Sequence, residues 1–147
     1  PKVANFTPAD QSFEIGKGLL LQEGSDVTIV ATGHLVWEAL EAAKTLNEKG
    51  ISAEVINIHT IKPLDNDIIL KSVAKTGAIV TAEEHNFLGG LGESVARVLA
   101  ENTPTPQEFI ATKDTVGESG TPAQLMDKYG LNAKAIVAAS EKIIQRK

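Results

Sequence analysis

Three short apolar runs rich in β-branched residues, each followed by a stretch of helical periodicity, constrain this chain more than any other feature. The runs are Val27-Thr28-Ile29-Val30-Ala31-Thr32, Ala53-Glu54-Val55-Ile56-Asn57-Ile58 and Ala78-Ile79-Val80-Thr81-Ala82-Glu83. Their apolar residues stand on consecutive rather than alternate positions, which suits strands buried on both faces. Between the first two, Val36, Ala39, Leu40, Ala43 and Leu46 recur at helical spacing, and Gly50 stands where a helix ends. After the second run, Lys62-Pro63-Leu64 reads as a turn and Asp65 as an N-cap. Ile68, Ile69 and Val73 form the inward stripe of the helix that follows, and Gly77 stops it. After the third, Leu91, Val95, Val98 and Leu99 share a helical face. Strand and helix alternating in this way predict an α/β domain, a parallel sheet covered by helices on both faces.

The ends are less regular. Leu19-Leu20-Leu21 suits an edge strand, and Glu108-Phe109-Ile110-Ala111 a last strand after the Pro104 and Pro106 loop. Thr121, Pro122 and Gln124 spell a capping box for a helix with Leu125, Met126 and Tyr129 apolar and Gly130 as terminator. Asn132 caps a final helix whose positions 136, 137, 140, 143 and 144 face inward. The predicted core comprises Val27, Ile29, Val30, Leu40, Val55, Ile56, Ile58, Ile79, Val80, Val95 and Ile136. No repeat, low-complexity tract or linker divides the chain, so residues 1–147 read as one domain.

Composition narrows the function. A net charge of −5 argues against a nucleic-acid-binding face. The absence of cysteine excludes disulfides, thiolate zinc sites and thiol catalysis. No apolar run reaches the ~18–20 residues of a membrane helix, and no signal-like segment opens the chain, so the cytoplasm is the expected location. The first residue is Pro1 rather than methionine, which suggests a fragment or a processed chain.

Chemistry-bearing residues concentrate in Thr81-Ala82-Glu83-Glu84-His85-Asn86-Phe87-Leu88-Gly89-Gly90-Leu91-Gly92, at the carboxyl end of a buried strand and the start of a helix. Ligands of open α/β sheets gather at that edge, and helix-start amides hold anions. The residues alone favour a plainer reading, with Glu83 and Glu84 paired or solvated and the glycines allowing a tight turn and close packing. Thr32-Gly33-His34 ends another strand, but the later glycines of a dinucleotide fingerprint are missing. His34 suits a surface or interface position, and His59 one packed beside Thr60. The three histidines lack metal-ligand spacing on any single element. Gly117-Glu118-Ser119-Gly120 lacks the strand-to-helix setting of a nucleophile elbow.

Glu83-Glu84-His85-Asn86 with Gly89-Gly90-Leu91-Gly92 resembles the strand–loop–helix signature of the C-terminal domain of transketolases. Three further stretches resemble that family in order. They are Gly24 to Gly33, Val55 to Asp65, and Gly117-Glu118-Ser119-Gly120 leading to Leu125, Tyr129, Gly130 and Leu131. The likeness runs from Phe13 to the end. The first two stretches are shared with deoxyxylulose phosphate synthase and the β subunits of 2-oxoacid dehydrogenases.

The resemblance implies a three-layer α/β/α sandwich on a five-stranded, mostly parallel sheet of order 1-3-2-4-5 with an antiparallel first strand. It implies a parent enzyme that moves a two-carbon ketol unit between sugar phosphates with thiamine diphosphate and a divalent cation, magnesium or calcium, as in the pentose phosphate pathway. The glycine-aspartate-glycine and asparagine motif for the metal is missing, as is the glutamate that activates the cofactor. No catalytic, cofactor-binding or metal-binding residue therefore carries over, and the chain alone is expected to be inactive. Its implied partners are the other transketolase domains or subunit, in a homo-oligomer, with neither nucleic acid nor membrane. A free-standing interaction module of the same fold, or the third domain of deoxyxylulose phosphate synthase or a 2-oxoacid dehydrogenase, remain alternatives.

With that strand order the chain jumps one strand and opens a crevice at Gly33, His34, Glu84, His85, Asn86 and Gly90, the expected place for a small ligand or partner side chain. Helix-start amides near Gly90 and Leu91 favour an anion there, whereas Glu83 and Glu84 oppose one. A carboxylate capping that helix from within the protein satisfies both demands.

Overall fold

The computed structural model describes residues 15–59, 61–86, 90–112, 121, 124, 127, 128 and 130–147. Its described elements are β1 (Leu19–Gln22), β2 (Val27–Ala31), α1 (Leu35–Glu48), β3 (Ala53–Asn57), α2 (Asn66–Thr76), β4 (Ile79–Asn86), α3 (Leu91–Glu101), β5 (Gln107–Thr112) and α4 (Ala133–Ile144). The five strands form one sheet in the order β1-β3-β2-β4-β5. β1 runs antiparallel to β3, and the other neighbours are parallel.

The pleat sorts side chains between two cores. Val27, Ile29, Ala31, Val55, Val80 and Ala82 face α1 and α4. Val30, Ile56, Ile58 and Ile79 face α2 and α3. Burying one such Ile, Leu or Val contributes roughly 1.5–3 kcal/mol. The expected three-layer sandwich is thus the observed one. Of the predicted core, only Leu40 falls short of full burial. Helix α1 turns Leu35 and Ala42 inward, leaving Leu40 partly buried at the margin.

Helix boundaries follow local chemistry. The Asp65 side chain accepts the Ile68 amide at 3.2 Å, and its other oxygen accepts the Gly18 amide at 2.9 Å, tying α2 to the entry of β1. Gly77 ends α2 with φ 72°, a left-handed conformation that glycine adopts without steric cost. Asn132 Oδ1 accepts the Ala135 amide at 2.8 Å and starts α4. The capping-box bonds between Thr121 and Gln124 are both present, at 3.0 and 3.2 Å. Pro122, Leu125, Met126 and Tyr129 of that segment lie outside the described residues, as do Thr60, Gly89 and Gly117 to Gly120.

The path from β3 to β4 passes over β2, so the direction of winding reverses between β2 and β4. Ala31 pairs with Ala82 there, and the Thr32 amide donates to the Ala82 carbonyl at 3.2 Å.

Candidate functional site

The reversal point is built from the adjacent carboxylates of Glu83 and Glu84 on β4. Successive strand residues point to opposite faces, so the pair splits across the sheet. Glu83 lies on the α2/α3 side and is only 1% exposed. Its Oε1 accepts the Leu91 amide at 2.8 Å and its Oε2 the Gly92 amide at 2.7 Å. Both oxygens are satisfied, and the negative charge sits at the positive end of α3. Gly90, the N-cap, has no side chain to do this work, so the strand supplies the cap.

Glycine spacing in this segment is steric. A β-carbon on Gly90 would overlap the Glu83 carboxylate. One on Gly92 would press on the Phe109 ring of β5, with Cδ2 at 2.5 Å and Cε2 at 2.8 Å. The glycines let α3 lie close to the sheet and let the carboxylate reach its first amides.

Glu84 does the equivalent on the other face. Its exposed carboxylate accepts the His34 amide at 3.2 Å, at the start of α1, where the His34 side chain makes no capping bond. Gly33 turns the chain there with φ 61°. The structure therefore brings Gly33, His34 and Glu84 together, while Gly90 is buried against Glu83 at the start of α3. His85 and Asn86 extend β4 as backbone, and their side chains lie outside the described part. His34 is half-buried. His59, two residues beyond the end of β3, is exposed, and Thr60, its expected packing neighbour, lies outside the described residues.

The other helix starts are closed in the same manner. Asp65 occupies the start of α2. Asn132 and the Glu38 carboxylate, which accepts the Ala133 amide at 2.9 Å, occupy the start of α4. The starts of α1 to α4 thus each have an acceptor from the protein itself at the positive end of the helix.

One buried charge escaped the sequence reasoning. Glu54 on β3 is 3% exposed, pairs with Lys75 of α2 and accepts the Gly24 amide at 3.1 Å. Burial opposes its ionisation, yet hydrogen bonds from Lys75, Ser72 and the Gly24 amide, with the Lys75 charge, hold its carboxyl below the ordinary glutamate value. The available signal was a carboxylate in the middle of an otherwise buried strand. Beside it, the Thr28 hydroxyl meets those of Ser72 and Thr76 at 2.6 and 2.7 Å, a buried polar seam between β2 and α2.

A family model described as "Transketolase, C-terminal domain" matches residues 16–136. The chain belongs to the transketolase C-terminal domain family. Among curated relatives, it is 49% identical over 138 residues to the 6-deoxy-6-sulfo-D-fructose transketolase subunit of Clostridium sp. (strain MSTE9), spanning 94% of this chain and 43% of that protein. It is 43% identical over 145 residues to 1-deoxy-D-xylulose-5-phosphate synthase 1 of Geobacter sulfurreducens, spanning 95% of this chain and 23% of that protein. A solved chain described as "Split gene transketolase, inactive beta4 tetramer" superposes with a TM-score of 0.94 at 47% identity, covering 97% of this chain and 47% of the other. This transketolase C-terminal domain therefore spans less than half the length of these relatives.

Proposed function

We propose that this domain is the non-catalytic third domain of a transketolase that carries a two-carbon ketol unit from a ketose phosphate to an aldose phosphate. In this reading it packs on the pyrimidine-binding domain and supports a cytoplasmic homo-oligomer. The observation that carries the reading is the closed state of the helix starts, above all the Glu83 carboxylate on the Leu91 and Gly92 amides. With those amides taken by its own carboxylate, the domain does not offer them to a sugar phosphate.

Transketolases work with thiamine diphosphate and a divalent cation. The described residues do not fit that group. A diphosphate would meet Glu83 and Glu84 at the reversal point, and no three carboxylate or imidazole groups among the described residues converge on a cation position. The cofactor thus belongs, in this reading, to the other domains. Relatives named as subunits of divided transketolases support a partner on a separate chain. No described helix is long and apolar enough to cross a membrane. Exposed Leu20 and Phe109, on the two edge strands, suit surfaces that other protein covers.

A second reading, deoxyxylulose phosphate synthase, is supported by the 43% identity to the Geobacter protein. The test is complementation. The purified chain is assayed with thiamine diphosphate, magnesium and sugar phosphates, alone and after assembly with the remainder of its native enzyme. Turnover is expected only from the assembled protein and with a ketose phosphate donor. Turnover by the chain alone would overturn the non-catalytic role. Use of pyruvate as donor would favour the second reading.

A further inference from the structure

We draw no further inference here: the strongest candidate, the uncharged groove between α3 and β5 bordered by Ala96, Leu99, Pro104 and Phe109, carries nothing because nothing in the structure shows what covers it.

Discussion

The carboxylate of Glu83 fills the space that a β-carbon on Gly90 would need. Gly90 has ordinary extended backbone angles, φ −97° and ψ −158°, so the chain conformation does not demand glycine at that position. The demand comes from the neighbour. Glu83 must come within 2.8 Å of the Leu91 amide, and only an absent side chain leaves that path open.

Coupling between these two residues is directly measurable. Gly90→Ala is expected to destabilise the domain by about 1–3 kcal/mol through overpacking. In a Glu83→Ala background most of that penalty disappears, because the obstructing carboxylate is gone. Urea denaturation of the two single variants and the double variant forms the cycle. Strictly additive losses would show that the two residues do not compete for space.

The reversal point is expected to decline phosphate. Titrating the folded domain with phosphate or a sugar phosphate while following amide signals should leave His34, Leu91 and Gly92 unmoved at millimolar ligand. Their donors face Glu84 and Glu83 at 3.2, 2.8 and 2.7 Å. Saturable shifts at these three amides would establish an anion site that displaces the internal carboxylates.

Acid stability should report on Glu54. Its carboxyl is held below the ordinary value, so its contribution to stability is complete above the unfolded-state pKa. That contribution is lost as pH falls through the lower native value. Lys75→Met removes the ion-pair partner and should move the acid unfolding midpoint to higher pH. Glu54→Gln should flatten the acid limb while lowering stability at neutral pH. Superimposable pH profiles for the wild type and both variants would refute this assignment.

Packing predicts a contrast between two aliphatic positions. Ile56 is fully buried against α2 and α3, and Ile56→Ala should cost about 2–5 kcal/mol. Leu40 sits at the edge of the opposite core, so Leu40→Ala should cost clearly less, because its side chain is already partly in water. Chemical denaturation of the two variants side by side decides it. Equal losses would mean that the α1 face is rotated from the orientation described.

The sequence by itself determined the local elements. Runs of β-branched residues became β2, β3 and β4, and helical spacing became α1, α2 and α3. Asp65, Gly77 and Asn132 set helix ends because capping acts over three or four residues. Periodicity says which residues form strands but not which strands adjoin. The order β1-β3-β2-β4-β5 was legible through family resemblance, carried by motifs rather than by spacing. For the candidate site, the sequence located the carboxylates and glycines and posed the conflict between amide ends and negative charge. Tertiary structure resolved that conflict. The pleat sent Glu83 towards α3 and Glu84 towards α1, and helix-to-sheet closeness turned Gly90 and Gly92 into steric necessities. It also gave Glu54 a partner 21 positions away in Lys75. Such partners are set by the packing of elements distant along the chain, a relation that no local window of residues contains.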